Sequence, residues 1–245
     1  FYERCKESKN FKVLETSDER VELRAGHLEN DSLVVGMCEA VIDASLEECV
    51  AYEFIKDSRE KKATIGKKYK AIIVENLNSK SQLYLNRRSL GPRGMSDREW
   101  RSYCCWQKNG TEKVCWTIYQ DTNKLNKDNP LSFNVVQASA TTTLKFEALP
   151  STGGFPQTRL IGVSKVDIAG AVPTFIMNSL SVGYASTISA LRKKFDKTKD
   201  IDAPRRKQLV ERMKHLKVKG DTKLLPIFDM IHPTVGAEEG GKSWG

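Results

Sequence analysis

The sequence predicts an α+β fold in which a curved antiparallel sheet of about nine strands packs around one long C-terminal helix. Short segments that alternate apolar and polar residues follow one another with turn residues between them, which is typical of antiparallel strands. The last of these segments leads into a helix that is apolar along one face and ends near Phe195. A helix of this kind needs a wide apolar surface to lie across, and the predicted sheet provides it.

Each strand is predicted from its alternation and from the turn residues that flank it. One shorter helix follows the third strand, where Ser45 is a good N-cap and the acidic Glu47 and Glu48 suit the helix N-terminus; it extends from Leu46 to about Asp57. The basic segment 61–68 is predicted to be a loop. The nine predicted strands are Phe11–Thr16, Arg20–Gly26, Leu33–Asp43, Tyr69–Leu77, Ser81–Leu90, Glu99–Trp106, Lys113–Gln120, Phe133–Leu149 and Pro156–Ile168.

The junction between the last strand and the long helix is the most informative segment. Gly170 can adopt the positive φ of a tight turn, and Pro173 suits the first turn of a helix. The apolar residues that follow are spaced by three or four, so they share one helical face. They are Ile176, Leu180, Tyr184, Ile188, Leu191 and Phe195.

Length and charge predict one domain with a basic extension. The chain has 245 residues and a net charge of +9, and the surplus of positive charge lies between Arg192 and Lys223. We expect residues 1–197 to form the domain and residues 198–245 to form a basic, partly helical extension, with a marginal helix at Ala203–Lys217. The sequence shows no membrane-spanning segment and no signal peptide. Because it does not begin with Met, we expect it to belong to a longer protein.

The residue types that carry chemistry argue against an enzyme. The sequence contains no nucleotide-binding loop, no hydrolase motif and no zinc-ligand spacing among its six cysteines and three histidines. The adjacent Cys104 and Cys105 are better explained as strand residues than as a reactive pair. We therefore expect no catalysis, no metal and no cofactor. Reduced cysteines favour a cytoplasmic protein.

Several motifs in this chain resemble the START domains, the steroidogenic-acute-regulatory-type lipid-transfer modules. The most specific one is Asp167-x-x-Gly170-x-x-Pro173 with the following Ile176-Met177-Asn178 and Leu191-Arg192-Lys193. Weaker similarities are Ser96–Trp100 with Trp106, Val136-Gln137-Ala138, and Leu149-Pro150. The resemblance covers roughly residues 10 to 196. The N-terminal helices that are usual in the family are not evident in this sequence.

The resemblance implies a helix-grip fold with a hydrophobic cavity that holds one lipid, such as a sterol, a phospholipid or a ceramide. Periodicity alone favours an ordinary filled core instead, so the cavity is an expectation that depends on the resemblance. The predicted ligand-binding residues are Leu83, Leu85, Trp100, Ser102, Cys104, Thr117, Leu144, Phe146, Leu160, Ser164, Met177, Leu180, Tyr184, Ile188 and Leu191. Cys104 and Gln137 are neutral where many family members carry basic residues, which favours a weakly polar ligand such as a sterol or an acyl chain.

The resemblance and the basic extension together predict a monomer that docks on anionic membrane while its ligand enters or leaves. The predicted membrane-contact residues are Leu90, Arg93, Met95, Arg192, Lys193 and Lys194. The alternative hypothesis is a nucleic-acid-binding or protein-binding module that acts through the basic extension and has a filled core. Phe and Tyr are absent from the densest basic stretch, so the stacking platform of single-strand binders is missing, and we expect no nucleic acid partner.

Overall fold

The computed structural model describes residues 1–16, 18–90, 96–109, 111, 113–170, 183 and 187–215. The strands are β1 (Lys12–Leu14), β2 (Val21–His27), β3 (Val34–Ile42), β4 (Ala71–Asn78), β5 (Ser81–Arg88), β6 (Asp97–Asn109), β7 (Val114–Asp121), β8 (Val135–Thr152) and β9 (Phe155–Asp167). The described helices are α1 (Tyr2–Glu7), α2 (Leu46–Phe54), α3 (Arg59–Lys62), α4 (Thr187–Lys194) and α5 (Thr198–His215).

The predicted nine-stranded sheet is confirmed, and its strands follow the order β1-β2-β3-β9-β8-β7-β6-β5-β4. Neighbouring strands pair antiparallel, with one addition that the sequence did not predict: the start of β8 also pairs parallel with Asp97–Trp100 of β6. This pairing is possible because β7 ends at Asp121, opposite Ser102, and leaves the first part of β6 without that neighbour. Within the predicted loop 61–68, α3 extends to Lys62 after an N-cap at Ser58.

The inner face of the sheet packs against α4, as the helical periodicity predicts. Ile188 and Leu191 of α4 are buried in the main hydrophobic cluster of the protein, which also contains residues of α2 and of most strands. Gly162 of β9 makes the close approach possible, because a Cβ atom there would lie 2.9 Å from Cys38 Sγ and 3.0 Å from side-chain atoms of Ile188 and Leu144. The inner face of the sheet and α4 are therefore close enough to form the walls of a site between them.

The outer face of the sheet is covered as well. α1 packs against β9 through Tyr2, whose ring meets Trp116 edge to face at a centroid distance of 5.0 Å. Farther along the sheet, Leu125 from the loop 122–134 is buried against Leu83 and Leu85 of β5. Burial on both faces means that alternation within a strand does not tell which of its two faces lines a cavity.

Two arginine side chains hold the turn after β9 and the far end of α4. The predicted positive φ of Gly170 is confirmed at 81°, and Arg98 donates from Nε to the backbone oxygen of Ile168 at 2.7 Å just before this turn. At the far end, the buried Arg192 pairs with Asp18 at 2.6 Å. The backbone just before Gly170 is therefore tied to β6, and the end of α4 is tied to the loop between β1 and β2.

The chain divides into two compact units, Phe1–Asp202 and Ala203–Gly245. In the second unit the described residues are 203–215, which form the end of α5 and expose Leu209, Val210 and Met213. Within the described part of the chain, no helix combines the length and the apolarity that a membrane crossing requires.

Candidate functional site: a cavity under the C-terminal helix

A cavity of about 390 Å³ lies against the inner face of the sheet and is bordered by α2, α4 and several strands. Its apolar wall contains side chains from β6, β8, β9 and α4, namely Trp100, Ala140, Val166 and Leu191, together with Leu90. A smaller pocket of about 40 Å³ lies next to it against Leu144, Ser164 and Ile188, and it shares Glu53, Thr187 and Leu191 with the larger one. The two pockets therefore adjoin each other beside α4.

An ion pair between Glu53 and Lys56 forms the inner polar end of the cavity. Glu53 lies in the last turn of α2, and the buried Lys56 follows two residues after the helix ends. The hydroxyl of Tyr119 donates to Oε1 of Glu53 at 3.2 Å, and Nζ of Lys56 lies 4.6 Å from the ring centroid of Tyr119. Burial raises the pKa of Glu53, but the charges of Lys56 and Lys61 and the hydrogen bonds from Lys56 and Tyr119 together outweigh this effect and lower it. Glu53 is therefore an ionised partner for Lys56 at neutral pH.

Lys61 lines the same part of the cavity and closes the end of α2. Its ammonium group donates to the backbone oxygen of Ile55 at 2.9 Å and to that of Tyr52 at 3.2 Å, which satisfies carbonyl groups that a helix C-terminus leaves free. Burial, followed by the nearby charge of Lys56, lowers the pKa of Lys61 to about 8. An excess of positive charge is therefore concentrated around this end of the cavity.

A second polar group, Arg88 at the end of β5, lies among aromatic rings. The Cζ atom of Arg88 is 5.0 Å from the ring centroid of Tyr69 and 5.0 Å from that of Trp100. Its Nε donates to Oδ1 of Asn86 at 2.9 Å. All four side chains line the cavity, and the cation–π contacts hold the guanidinium in a defined orientation.

The structure brings part of the predicted ligand-binding set to this space. Trp100, Ser102 and Leu191 line the larger cavity, while Leu144, Ser164 and Ile188 line the smaller pocket. Four other predicted residues are buried nearby on the inner face, where they pack in the core: Cys104, Thr117, Phe146 and Leu160. The hydroxyl of Thr117 has no hydrogen-bond partner among the described residues. Met177, Leu180 and Tyr184 lie outside the described residues.

Leu83 and Leu85 require a correction, because the structure does not bring them to the cavity. They face the opposite side of the sheet and pack with Leu125. The β5 residues that do line the cavity are Tyr84, Asn86 and Arg88, which alternate with the two leucines. Hydrophobicity indicated the wrong face of β5, since the outer face is buried under a loop far along the chain.

The predicted membrane-contact residues also separate into groups. Leu90 lines the cavity, whereas Lys193 and Lys194 are exposed, and Lys194 pairs with Glu60 at 3.0 Å. Arg192 is corrected: its side chain is 6% exposed and bound to Asp18, so it does not face a membrane surface. Arg93 and Met95 lie outside the described residues.

The polar residues of the cavity are the ones that sequence reasoning missed. Glu53 and Lys56 are three residues apart at the end of a predicted helix, and nothing in their spacing distinguishes them from an ordinary surface pair. Alternation along β5 would have placed Tyr84, Asn86 and Arg88 on one face, but it did not show that this face was the inner one.

The cysteines show no sign of nucleophilic chemistry. All six are free thiols, and five of them are buried. Burial raises the pKa of Cys104 to about 12, so its thiol remains protonated at neutral pH. The neighbouring Cys105 is only partly buried, and burial raises its pKa as well. The sequence-based interpretation of both residues as strand residues fits these surroundings.

The fold is that of START-domain structures. The human StAR-related lipid transfer protein 5 superimposes with a TM-score of 0.63 at 12% identity over 80% of this chain and 91% of that one. The human StarD13 lipid transfer and protein localization domain superimposes with a TM-score of 0.62 at 13% identity, over 80% of this chain and 93% of that one. A STAR-related lipid transfer protein from Xanthomonas axonopodis superimposes with a TM-score of 0.60 at 14% identity, over 76% of this chain and 99% of that one. No protein-family model and no curated protein matches the sequence. The predicted helix-grip fold is thus confirmed.

Proposed function

We propose that this protein binds one lipid in the cavity between the sheet and α4 and carries or senses that lipid at membrane surfaces. The observation that carries the proposal is the cavity itself, whose volume of about 390 Å³ lies within the range of small-molecule sites. The solved structures that share the fold are described as lipid transfer proteins or domains, which supports a ligand of the same class.

The two kinds of wall suit an amphiphilic ligand. Trp100, Val166 and Leu191 offer apolar surface to a hydrocarbon part, whereas the Glu53–Lys56 pair and Arg88 offer hydrogen bonds and charge to a polar part. A ligand that is apolar throughout would leave these polar groups desolvated, which is costly. The cavity therefore favours a molecule with one polar end over a pure hydrocarbon.

The exposed cations near the end of α4 support a peripheral role at anionic membranes. Lys193 and Lys194 are exposed, and the described part of α5 adds further basic residues together with exposed Leu209 and Met213. Basic residues near an anionic surface each contribute about 1 kcal/mol of attraction. Six free thiols are typical of a reducing compartment, so we place this protein in the cytoplasm.

The proposal is tested by filling the cavity. Ala140 lines it, while Thr141 is the next residue of β8 and pairs with Lys165 on the other face. Ala140→Trp should place an indole ring in the cavity, and Thr141→Trp is the matched control for an added indole on the same strand. Each protein is incubated with phosphatidylcholine vesicles that contain cholesterol and phosphatidic acid, separated from them, and examined by native mass spectrometry.

We expect one bound lipid per chain in the parent protein and in Thr141→Trp, and none in Ala140→Trp. Thermal melting must show that both variants are folded. Retention of a lipid by folded Ala140→Trp, or the absence of any bound lipid in the parent protein, would overturn the proposal.

A further inference from the structure

The charge of the cavity is strongly one-sided. Among the described residues that line it, Lys56, Lys61, Lys68 and Arg88 are cationic, and Glu53 is the single carboxylate. That carboxylate is already the partner of Lys56. Most of the positive charge in the cavity walls is therefore not balanced by acidic residues of the same walls.

Arg88 is the cation whose geometry is best prepared for a ligand. Its guanidinium lies against Tyr69 and Trp100, and Asn86 accepts from its Nε. Among the described residues, neither of its two terminal nitrogens has a hydrogen-bond or ion-pair partner. These nitrogens form the planar pair of donors that matches a carboxylate or a phosphate in two-point contact. Because the rings already restrict the side chain, binding an anion costs little additional side-chain entropy.

Lys68 places a second cation at the same aromatic ring. Its Nζ lies 5.6 Å from the ring centroid of Tyr69, and the side chain is exposed at the border of the cavity. The part of the chain that the structure describes provides Lys68 with no acidic partner. Arg88 and Lys68 thus share one ring, so an anion at this border of the cavity would meet positive charge from both.

We infer that the polar end of the bound lipid is an oxyanion, a phosphate or a carboxylate, and that Arg88 receives it with help from Lys68. The inference rests on the proposed function and names the class of its ligand. The apolar part of the ligand would then lie along Trp100, Val166 and Leu191, which line the same cavity.

An oxyanion site differs from the weakly polar ligand that the sequence predicts. The neutral Cys104 and Gln137 favoured a weakly polar ligand such as a sterol. In the structure the positive charge comes from β5 and from the loop before β4, at Arg88 and Lys68. The cavity therefore carries positive charge although the residues at positions 104 and 137 are neutral.

The test measures which lipid the whole chain takes from a mixed vesicle. Vesicles contain phosphatidylcholine and phosphatidic acid in equal amounts, and native mass spectrometry gives the ratio of the two bound lipids. We expect the parent protein to prefer phosphatidic acid. Arg88→Gln should reduce that preference at least about tenfold, since a hydrogen bond between charged groups is worth about 1.5–3 kcal/mol and about 1.4 kcal/mol corresponds to tenfold.

Three further variants and one competitor sharpen the result. Lys68→Gln should reduce the preference by a smaller factor, whereas Lys67→Gln removes the same charge from the neighbouring exposed residue, which does not line the cavity, and should leave the preference unchanged. Arg88→Lys should restore part of it. Inorganic phosphate identifies the source of the anion: displacement of phosphatidic acid at millimolar phosphate would mean that the site takes the free ion, which would contradict a lipid head group.

The two proposals fail in different ways. If the parent protein binds both lipids without preference, or if Arg88→Gln keeps the preference, the oxyanion site is refuted while lipid binding stands. If the parent protein takes up neither lipid, the proposed function fails as well. Thermal melting of Arg88→Gln shows whether the loss of the aromatic contacts has unfolded the chain, and Lys68→Gln then keeps the test decisive.

Discussion

Two threonines on the inner face of the sheet allow a matched test of how well the core is satisfied. Thr117 and Thr142 are both buried, with exposures of 0% and 1%. The hydroxyl of Thr142 shares a hydrogen bond of 2.8 Å with the hydroxyl of Ser164, whereas that of Thr117 has no partner among the described residues. The same substitution, threonine to valine, should therefore have opposite effects at the two positions.

The magnitudes follow from the cost of burying a polar group without a hydrogen bond. Such a group costs about 1–3 kcal/mol, and an apolar side chain of the same shape removes that cost. Thr117→Val should therefore stabilise the protein by about 1 kcal/mol, which raises Tm by about 2–4 °C for a domain of this size. Thr142→Val should destabilise it by about 1–3 kcal/mol, because the buried hydroxyl of Ser164 loses its partner.

The measurement is urea and thermal denaturation of both variants after bound lipid has been extracted. A Tm for Thr117→Val below that of the parent protein would refute the reasoning, since it would mean that the hydroxyl is satisfied in the folded state. Lipid uptake by the same variant addresses the sequence-based prediction that Thr117 contacts the ligand. Unchanged uptake would assign Thr117 to the core alone.

The remaining predictions concern the anchoring of α4 and the basic extension. Asp18→Asn should lower the free energy of unfolding by about 1.5–3 kcal/mol, because it weakens a charged hydrogen bond with Arg192. An unchanged free energy of unfolding in urea denaturation would show that the pair is dispensable. Burial raises the pKa of Asp18, but the hydrogen bonds from Arg192 and from the backbone of Arg20, together with the charges of Arg192 and Lys193, outweigh burial and lower it. The stabilisation is therefore complete above about pH 4 and is lost as the pH falls through the lowered pKa. The variant should lack this part of the acid transition, and an unchanged acid transition would contradict the assignment. Gly162→Val should lower the free energy of unfolding by about 1–3 kcal/mol, because the larger side chain forces α4 away from β9. An unchanged Tm would show that α4 lies farther from Gly162 than the structure places it. Removal of residues 203–245 should preserve Tm but weaken sedimentation of the protein with anionic vesicles. If the truncated protein instead keeps its vesicle binding and loses only RNA binding in a gel shift, the nucleic-acid alternative would be supported.

The order and type of the elements could be predicted from the sequence because their signals are local. Alternation predicted the strands, and a spacing of three or four predicted the apolar face that buries Ile188 and Leu191. Gly170 was predicted to take the positive φ of a turn after the last strand, and its φ in the structure is 81°. These patterns depend on neighbouring residues, which the sequence displays directly.

The site could be predicted only in part, because most of its polar side chains belong to elements that are distant in sequence. Trp100, Ser102 and Leu191 were found because periodicity placed them on strand and helix faces and the resemblance to START domains implied a cavity there. Arg88 was not, since its role depends on stacking against Tyr69 and Trp100. The residue pattern of β5 does not predict which aromatic rings will surround the charged side chain at the end of that strand.

The sequence alone was sufficient for the nine strands, the apolar face of α4 and the positive φ of Gly170. Which face of β5 lines the cavity, and whether Arg192 meets solvent or Asp18, depended on how these elements pack together. The physical reason is that side-chain periodicity is a property of consecutive residues, whereas burial on both faces of a sheet and ion pairs between distant residues arise from contacts that form when the chain folds.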